Sequence, residues 1–374
     1  MTSLKVKCLA VYFRLPAFAS NKENKTDTLI YVAKLISSGT GAKVDSSPFN
    51  LPSRIVTPTM GKGTSRWMAE SISIDDRYIL LTKFQSASYR PLYIVDISGD
   101  GPAEPQLITL PNSTEKEGET FCNYARFSRD PSDPHLVYLI TNAYGDFKSV
   151  VMYNSQTHTV SHITTPAPNL RAIRPISWET EDLKVTRENI FFRANIEGWS
   201  HLFVMPLSGP HRDTVIEVKP DWEGGNIKYV PNSFNGKPNE LVLKLVSYRS
   251  QGSIVRLDIA AALEKIDFDE SGEAYTSVTL STYHQASSEI PPFRTLPPKL
   301  MRFKSFDGLP IPVMYYHPNN MQSVVPLVIN IHGGPEVCAS SPCCLLFIAS
   351  YSNSSLLPTR HTESGYCANS IVRI

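Results

Sequence analysis

Near its C-terminus the chain reads Pro-Leu-Val-Ile-Asn-Ile-His-Gly-Gly-Pro over residues 326–335, and here its residue types could do chemistry. Val328, Ile329 and Ile331 form an uncharged β-branched run that suits a strand buried on both faces. The run ends at His332, Gly333 and Gly334. Paired glycines let the backbone turn sharply and come close to a bound group. A backbone N–H at such a strand end can point at the negative oxygen that develops during acyl transfer. His332, Gly333 and Gly334 are therefore the candidate oxyanion-hole residues.

Acyl transfer also needs a nucleophile on a sharp strand–helix turn, conventionally Gly-x-Ser-x-Gly, followed by an acid and a histidine. No Gly-x-Ser-x-Gly occurs in the 374 residues, no aspartate follows Asp307, and His361 is the only histidine beyond His332. No catalytic triad residue can be assigned. A serine without a positioned base is a weak nucleophile.

The elements that would position such a site form a repeat. Apolar strand patterns at 29–32, 92–96, 150–154, 202–205 and 254–258 recur at roughly fifty to sixty residues, the range of the longer propeller repeats. Each precedes a second short strand, at 54–57, 106–109, 161–164, 215–218 and 276–279. Four of the five follow an inner strand, at 78–82, 136–140, 189–192 and 240–243. Asp75-Asp76, the Asp130–Pro134 stretch and the Asn235–Pro238 stretch supply turn chemistry ahead of inner strands. Short strands in this order predict a β-propeller over a β-sandwich. A brief helix is expected over 258–265 with Asp258 as its N-cap. Pro291, Pro292, Pro297 and Pro298 mark a stiff linker. Asp307-Gly308, set between two alternating apolar runs, signals a hairpin.

Beyond its terminal residues, the 332–336 sequence His-Gly-Gly-Pro-Glu has two companions upstream. These are Phe-Asp-Gly-Leu-Pro-Ile-Pro-Val at 306–313 and Tyr-Tyr-His-Pro at 315–318. Together they resemble the start of the catalytic domain in the prolyl oligopeptidase family of serine peptidases, in its acylaminoacyl- or dipeptidyl-peptidase-like branch. The resemblance covers about 26–336. It implies a mainly β fold: a partial propeller of about four to five blades, then the first strands of an α/β-hydrolase domain. It also implies an acyl-enzyme mechanism on short peptide substrates, with the Gly333 N–H binding the oxyanion. No cofactor or metal is implied. The expected organisation is an unassigned segment 1–25, an incomplete propeller 26–285, a Pro-rich linker 286–299, hydrolase strands 300–336 and an anomalous tail 337–374. That tail holds eight serines, four cysteines and only three charged residues, without period, and reads as the product of a shifted frame or an unspliced intron. As written, the chain is expected to be a catalytically incompetent fragment. The alternatives are a β-propeller interaction scaffold and part of an α/β-hydrolase esterase.

Composition removes other classes. Lys+Arg 36 against Asp+Glu 35 gives net charge +1, so no basic excess points to nucleic acid. The apolar 344–349 stretch is far too short to span a bilayer, so no membrane partner is expected. Cys8 and Cys122 stand alone while Cys338, Cys343, Cys344 and Cys367 crowd the tail, unlike a secreted disulfide framework. The expected compartment is reducing and cytoplasmic. Lys5, Lys7 and the apolar 8–13 run outline a signal peptide, but Arg14 interrupts it. Gly61-Lys62-Gly63-Thr64 lacks the hydroxyl residue after lysine that a phosphate loop needs. The tail cysteines with His361 fit no standard zinc spacing. Asn24, Asn112 and Asn353 head glycosylation triplets, which matter only in a secreted protein. Trp67, Trp178, Trp199 and Trp222 recur near blade starts as core residues or rim contacts. Glu223 and Arg249 could hold a peptide terminus in a central cavity.

Overall fold

A computed structural model describes residues 7–12, 15–20, 27–33, 53–57, 66–100, 103–114, 119–222, 224–230, 240–247, 252–285 and 298–316. Compactness divides the chain into two units, residues 1–192 with 205–215, and residues 193–204 with 216–374. The fold is mainly β, and its sheets follow one another as blades in a β-propeller arrangement.

The first sheet joins β1 (Lys7–Tyr12), β2 (Leu15–Ser20), β3 (Leu29–Ala33) and β4 (Ser53–Ile55) in chain order. The second joins β5 (Trp67–Ile72), β6 (Tyr78–Lys83), β7 (Leu92–Asp96) and β8 (Gln106–Leu107). The third joins β9 (Cys122–Phe127), β10 (Leu136–Thr141), β11 (Ser149–Asn154) and β12 (Thr159–His162). All three are antiparallel meanders. The fourth begins with β13 (Glu179–Val185), β14 (Asn189–Ile196), β15 (Trp199–Pro206) and β16 (Ile216–Pro220).

The apolar repeat found in the sequence is the third strand of each sheet, and its inner strand is the second. Both are buried on two faces because a blade lies between two others. In β6, Ile79 and Leu81 enter a core with Tyr31, Trp67 and Ile97, while Leu80 enters another with Phe127, Val137 and Tyr153. Alternate residues thus serve different cores, so the strand reads as a continuous apolar run. The turns follow the expected chemistry. The Asp75 carboxylate accepts from the Arg77 N–H at 3.2 Å, and Asp76 takes φ 58. The Asp130 carboxylate accepts from the Ser132 N–H at 2.9 Å.

The sequence reading missed the first strand of each blade. It also left the segment before Asn24 unplaced, whereas β1 and β2 pair onto β3 and make that sheet four-stranded.

In the second unit, β17 (Asn226–Tyr229), β18 (Glu240–Val246) and β19 (Ser253–Asp258) are antiparallel. Helix α1 (Ile259–Leu263) follows, and the Asp258 carboxylate caps it by accepting from the Ala261 N–H at 3.1 Å, as expected. Then come β20 (Asp267–Phe268), β21 (Ala274–Val278) and β22 (Ser281–Gln285). Here one assignment is corrected. The 276–279 segment is not the outer strand of the last blade: β21 adds in parallel to β16 of the preceding sheet, and β22 takes the outer place on β19. The α1–β20 excursion carries the chain to the neighbouring edge, and the Thr276 hydroxyl anchors it there by donating to the Ala262 carbonyl at 2.7 Å.

The last pair, β23 (Lys299–Lys304) and β24 (Pro310–Tyr315), forms a two-stranded antiparallel sheet of its own. Gly308 takes φ 85 in its turn, and its N–H donates to the Ser305 carbonyl at 3.0 Å. Among the described residues this hairpin pairs with no blade strand. It leaves Met301, Phe303, Phe306 and Leu309 exposed. The expected strand at 327–331 and the tail 337–374 lie outside the described residues.

Candidate functional site on the inner strands

His332, Gly333 and Gly334 lie outside the described residues, as do Glu223, Arg249, the 61–64 loop, the tail cysteines and His361. Of the tryptophans, Trp67 is core, edge-on to Tyr93 at 5.0 Å between ring centroids. Trp178, Trp199 and Trp222 are half-buried. Asn112 sits in a turn at φ 56.

What the structure does bring together is a polar cluster on β5, β9 and β13, the first strands of three successive sheets. Two of them carry bulges. In β5 the register shifts between Ala69 and Ser71, making Glu70 the inserted residue. In β9 it shifts between Asn123 and Arg126, with Tyr124 at φ 50. Bulges re-aim side chains, and here they turn a carboxylate and a guanidinium toward each other.

Glu70 is 8% exposed and fully engaged. Arg126 Nη1 donates to its carboxylate at 3.0 Å, to its carbonyl at 2.7 Å and to the Ala125 carbonyl at 2.9 Å. The Thr82 hydroxyl donates to the other carboxylate oxygen at 3.0 Å. Three further bonds tie β9 to β5. The Phe127 N–H donates to the Ser71 hydroxyl at 3.2 Å, and Arg129 donates to the same hydroxyl at 3.3 Å and to the Ile72 carbonyl at 3.1 Å. These close charge-assisted contacts are stronger than neutral ones.

More cations surround this pair. Burial holds the Lys184 ammonium on β13 below its usual range; Asp182 opposes that and Arg126 adds to it. Burial likewise lowers Arg90, which lies over the Phe121 ring at 4.8 Å and the Phe84 ring at 5.6 Å. The buried Nε of Arg90 has no hydrogen-bond partner in the structure. With cations outnumbering carboxylates, this wall suits carbonyl or carboxylate oxygens. It offers no nucleophile. The nearby Cys122 donates weakly to the Thr141 hydroxyl at 3.7 Å, and burial pushes its thiol from 9.0 up to about 12.

That shift gives a prediction. A thiol whose folded value lies above its unfolded one adds stability that is fully present below about pH 9 and is lost as pH rises toward 12. Unfolding followed against pH should show alkaline destabilisation that Cys122→Ala removes. Peptide mapping should find Cys122 unalkylated by iodoacetamide in the native protein and alkylated after unfolding.

Sequence reasoning singled out none of Glu70, Arg126 and Lys184. Their signal was spacing: 56 residues separate Glu70 from Arg126, and Lys184 comes one blade repeat later.

No family model and no curated protein sequence matches the chain. Solved structures do. Prolyl oligopeptidase B from Galerina marginata, bound to a 35mer hydrolysis and macrocyclization substrate, aligns with TM-score 0.51 and 15% identity, over 80% of this chain and 36% of that one. A structure from a study of two prolyl endopeptidases aligns with TM-score 0.50 and 9% identity, over 85% of this chain and 47% of that one. The chain thus spans about a third to a half of their length. At such identity the likeness is one of fold, that of the prolyl oligopeptidase propeller.

Proposed function

We propose that the chain carries the propeller and the first catalytic-domain strands of a prolyl oligopeptidase-family serine peptidase, of the acylaminoacyl- or dipeptidyl-peptidase-like branch. One observation carries this reading. Consecutive blades are followed by an Asp307-Gly308 hairpin in a sheet of its own, and His332-Gly333-Gly334-Pro335 comes shortly after it. In this reading the blades admit short peptides. Arg126, Arg90 and Lys184 hold their carbonyl or carboxylate oxygens, and the Gly333 N–H donates to the oxyanion of an acyl-enzyme step. One such donor accounts for about a hundred- to a thousand-fold in rate.

The chemistry of bond breaking belongs to residues these 374 do not include, so the chain by itself does not turn over peptides. Incubation of the purified chain with a fluorophosphonate probe should label no serine, and short-peptide hydrolysis should stay at background. Labelling of one serine with concurrent hydrolysis would refute the assignment of inactivity. The reading also places the protein in a reducing, cytoplasmic compartment. Among the described residues no helix is long and apolar enough to cross a membrane.

A further inference from the structure

The second unit holds a pocket of about 240 Å³ that peptide chemistry does not use. Its walls include the indoles of Trp199 and Trp222, and its polar groups are His201, Glu217 and Lys219. It is built rigidly. An added Cβ on Gly224 would stand 2.7 Å from Trp199 Cε3, so glycine lets the backbone lie against that ring. The Ser200 N–H donates to the Gly225 carbonyl at 2.9 Å, fixing the loop to β15. Trp222 is held by a tight turn, its N–H donating to the Pro220 carbonyl at 2.8 Å. The Asp221 carboxylate before it accepts from the Leu280 N–H at 2.9 Å.

The polar groups are equally placed. His201 Nδ1 and Glu217 Oε1 lie 2.7 Å apart, and Lys219 Nζ lies 3.9 Å from the second Glu217 oxygen. Lys219 Nζ also sits over the Tyr275 ring at 4.1 Å. The carboxylate and ammonium cancel, which disfavours a charged ligand of either sign. Their remaining valences, with those of the imidazole, supply both donors and acceptors. Flat aromatic faces offer apolar contact to a ring, and the volume falls below the range for drug-sized ligands.

We propose that this pocket binds a single neutral, hydroxyl-rich ring, that is, a pyranose sugar: the indoles cover its C–H face, and Glu217, Lys219 and His201 bond its hydroxyls. Two of the chain's four tryptophans line the pocket, so binding reports in intrinsic fluorescence.

The full chain would be titrated with methyl glucoside, methyl galactoside and methyl mannoside, reading fluorescence and saturation-transfer NMR. The expected result is a saturable change with at least one glycoside and transfer to its ring C–H protons. Trp222→Ala and Glu217→Gln should each weaken it about tenfold or more. Should Trp222→Ala fail to fold, Lys219→Ala, at an exposed side chain, should still weaken binding severalfold. The proposal fails if no glycoside saturates, if the folded variants bind as the parent does, or if tetramethylammonium or N-acetylphenylalaninamide occupies the pocket in preference to every sugar.

Discussion

Arg126→Ala should lower the stability of the first unit by about 3–5 kcal/mol, read as a fall in the denaturant midpoint. The reason is not the lost attraction but what stays behind. Glu70, 8% exposed, would keep only the Thr82 hydroxyl as side-chain donor to its carboxylate. The carbonyls of Glu70 and Ala125 would each lose a donor too. Taking both charges away should cost much less, so Glu70→Gln with Arg126→Met should recover most of the loss. A drop below about 1 kcal/mol for the single substitution would mean that the pair behaves like a solvated surface bridge.

Gly225→Ala should cost about 3 kcal/mol or more, for a steric reason. Gly225 takes φ 142, and an added Cβ would meet the Val246 carbonyl oxygen at 2.3 Å and Ser247 Cα at 3.1 Å. Both are backbone atoms, and Asn226 pairs with Val246 in the adjoining ladder, so relief requires moving β17 against β18. Gly272→Ala provides the contrast. That turn glycine, at φ 81, has open space around it, so its substitution carries backbone strain alone. If chemical unfolding gives the two variants equal losses, the steric explanation is wrong.

The sequence showed the blades through their most buried strands. Ile79–Leu81 and Val150–Val151 are apolar on both faces, and that periodicity survives without coordinates. The first strands were hidden by the very residues that matter. The β5 stretch with Glu70, the β9 stretch with Asn123 and Arg126, and the β13 stretch with Asp182 and Lys184 interrupt the apolar signal with charge or amide. A bulge in each of the first two also breaks the alternation. The 276–279 strand was found but assigned to the wrong sheet, since strand pattern does not say which edge a strand joins. The Asp258 cap and the Asp307-Gly308 hairpin were legible because each depends on local chemistry alone. The cross-blade bonds of Arg126 and Arg129 join residues 56 to 58 apart, and only the fold brings those together.

The most direct test of the handover from blades to a separate sheet is the set of interstrand amide NOEs from residues 299–315 in the perdeuterated full chain. Contacts should follow the hairpin register, with Leu300 opposite Met314 and Arg302 opposite Pro312, and none should reach a blade strand. A ladder of NOEs from either hairpin edge to any of β1–β22 would make this segment one more blade strand and contradict the account.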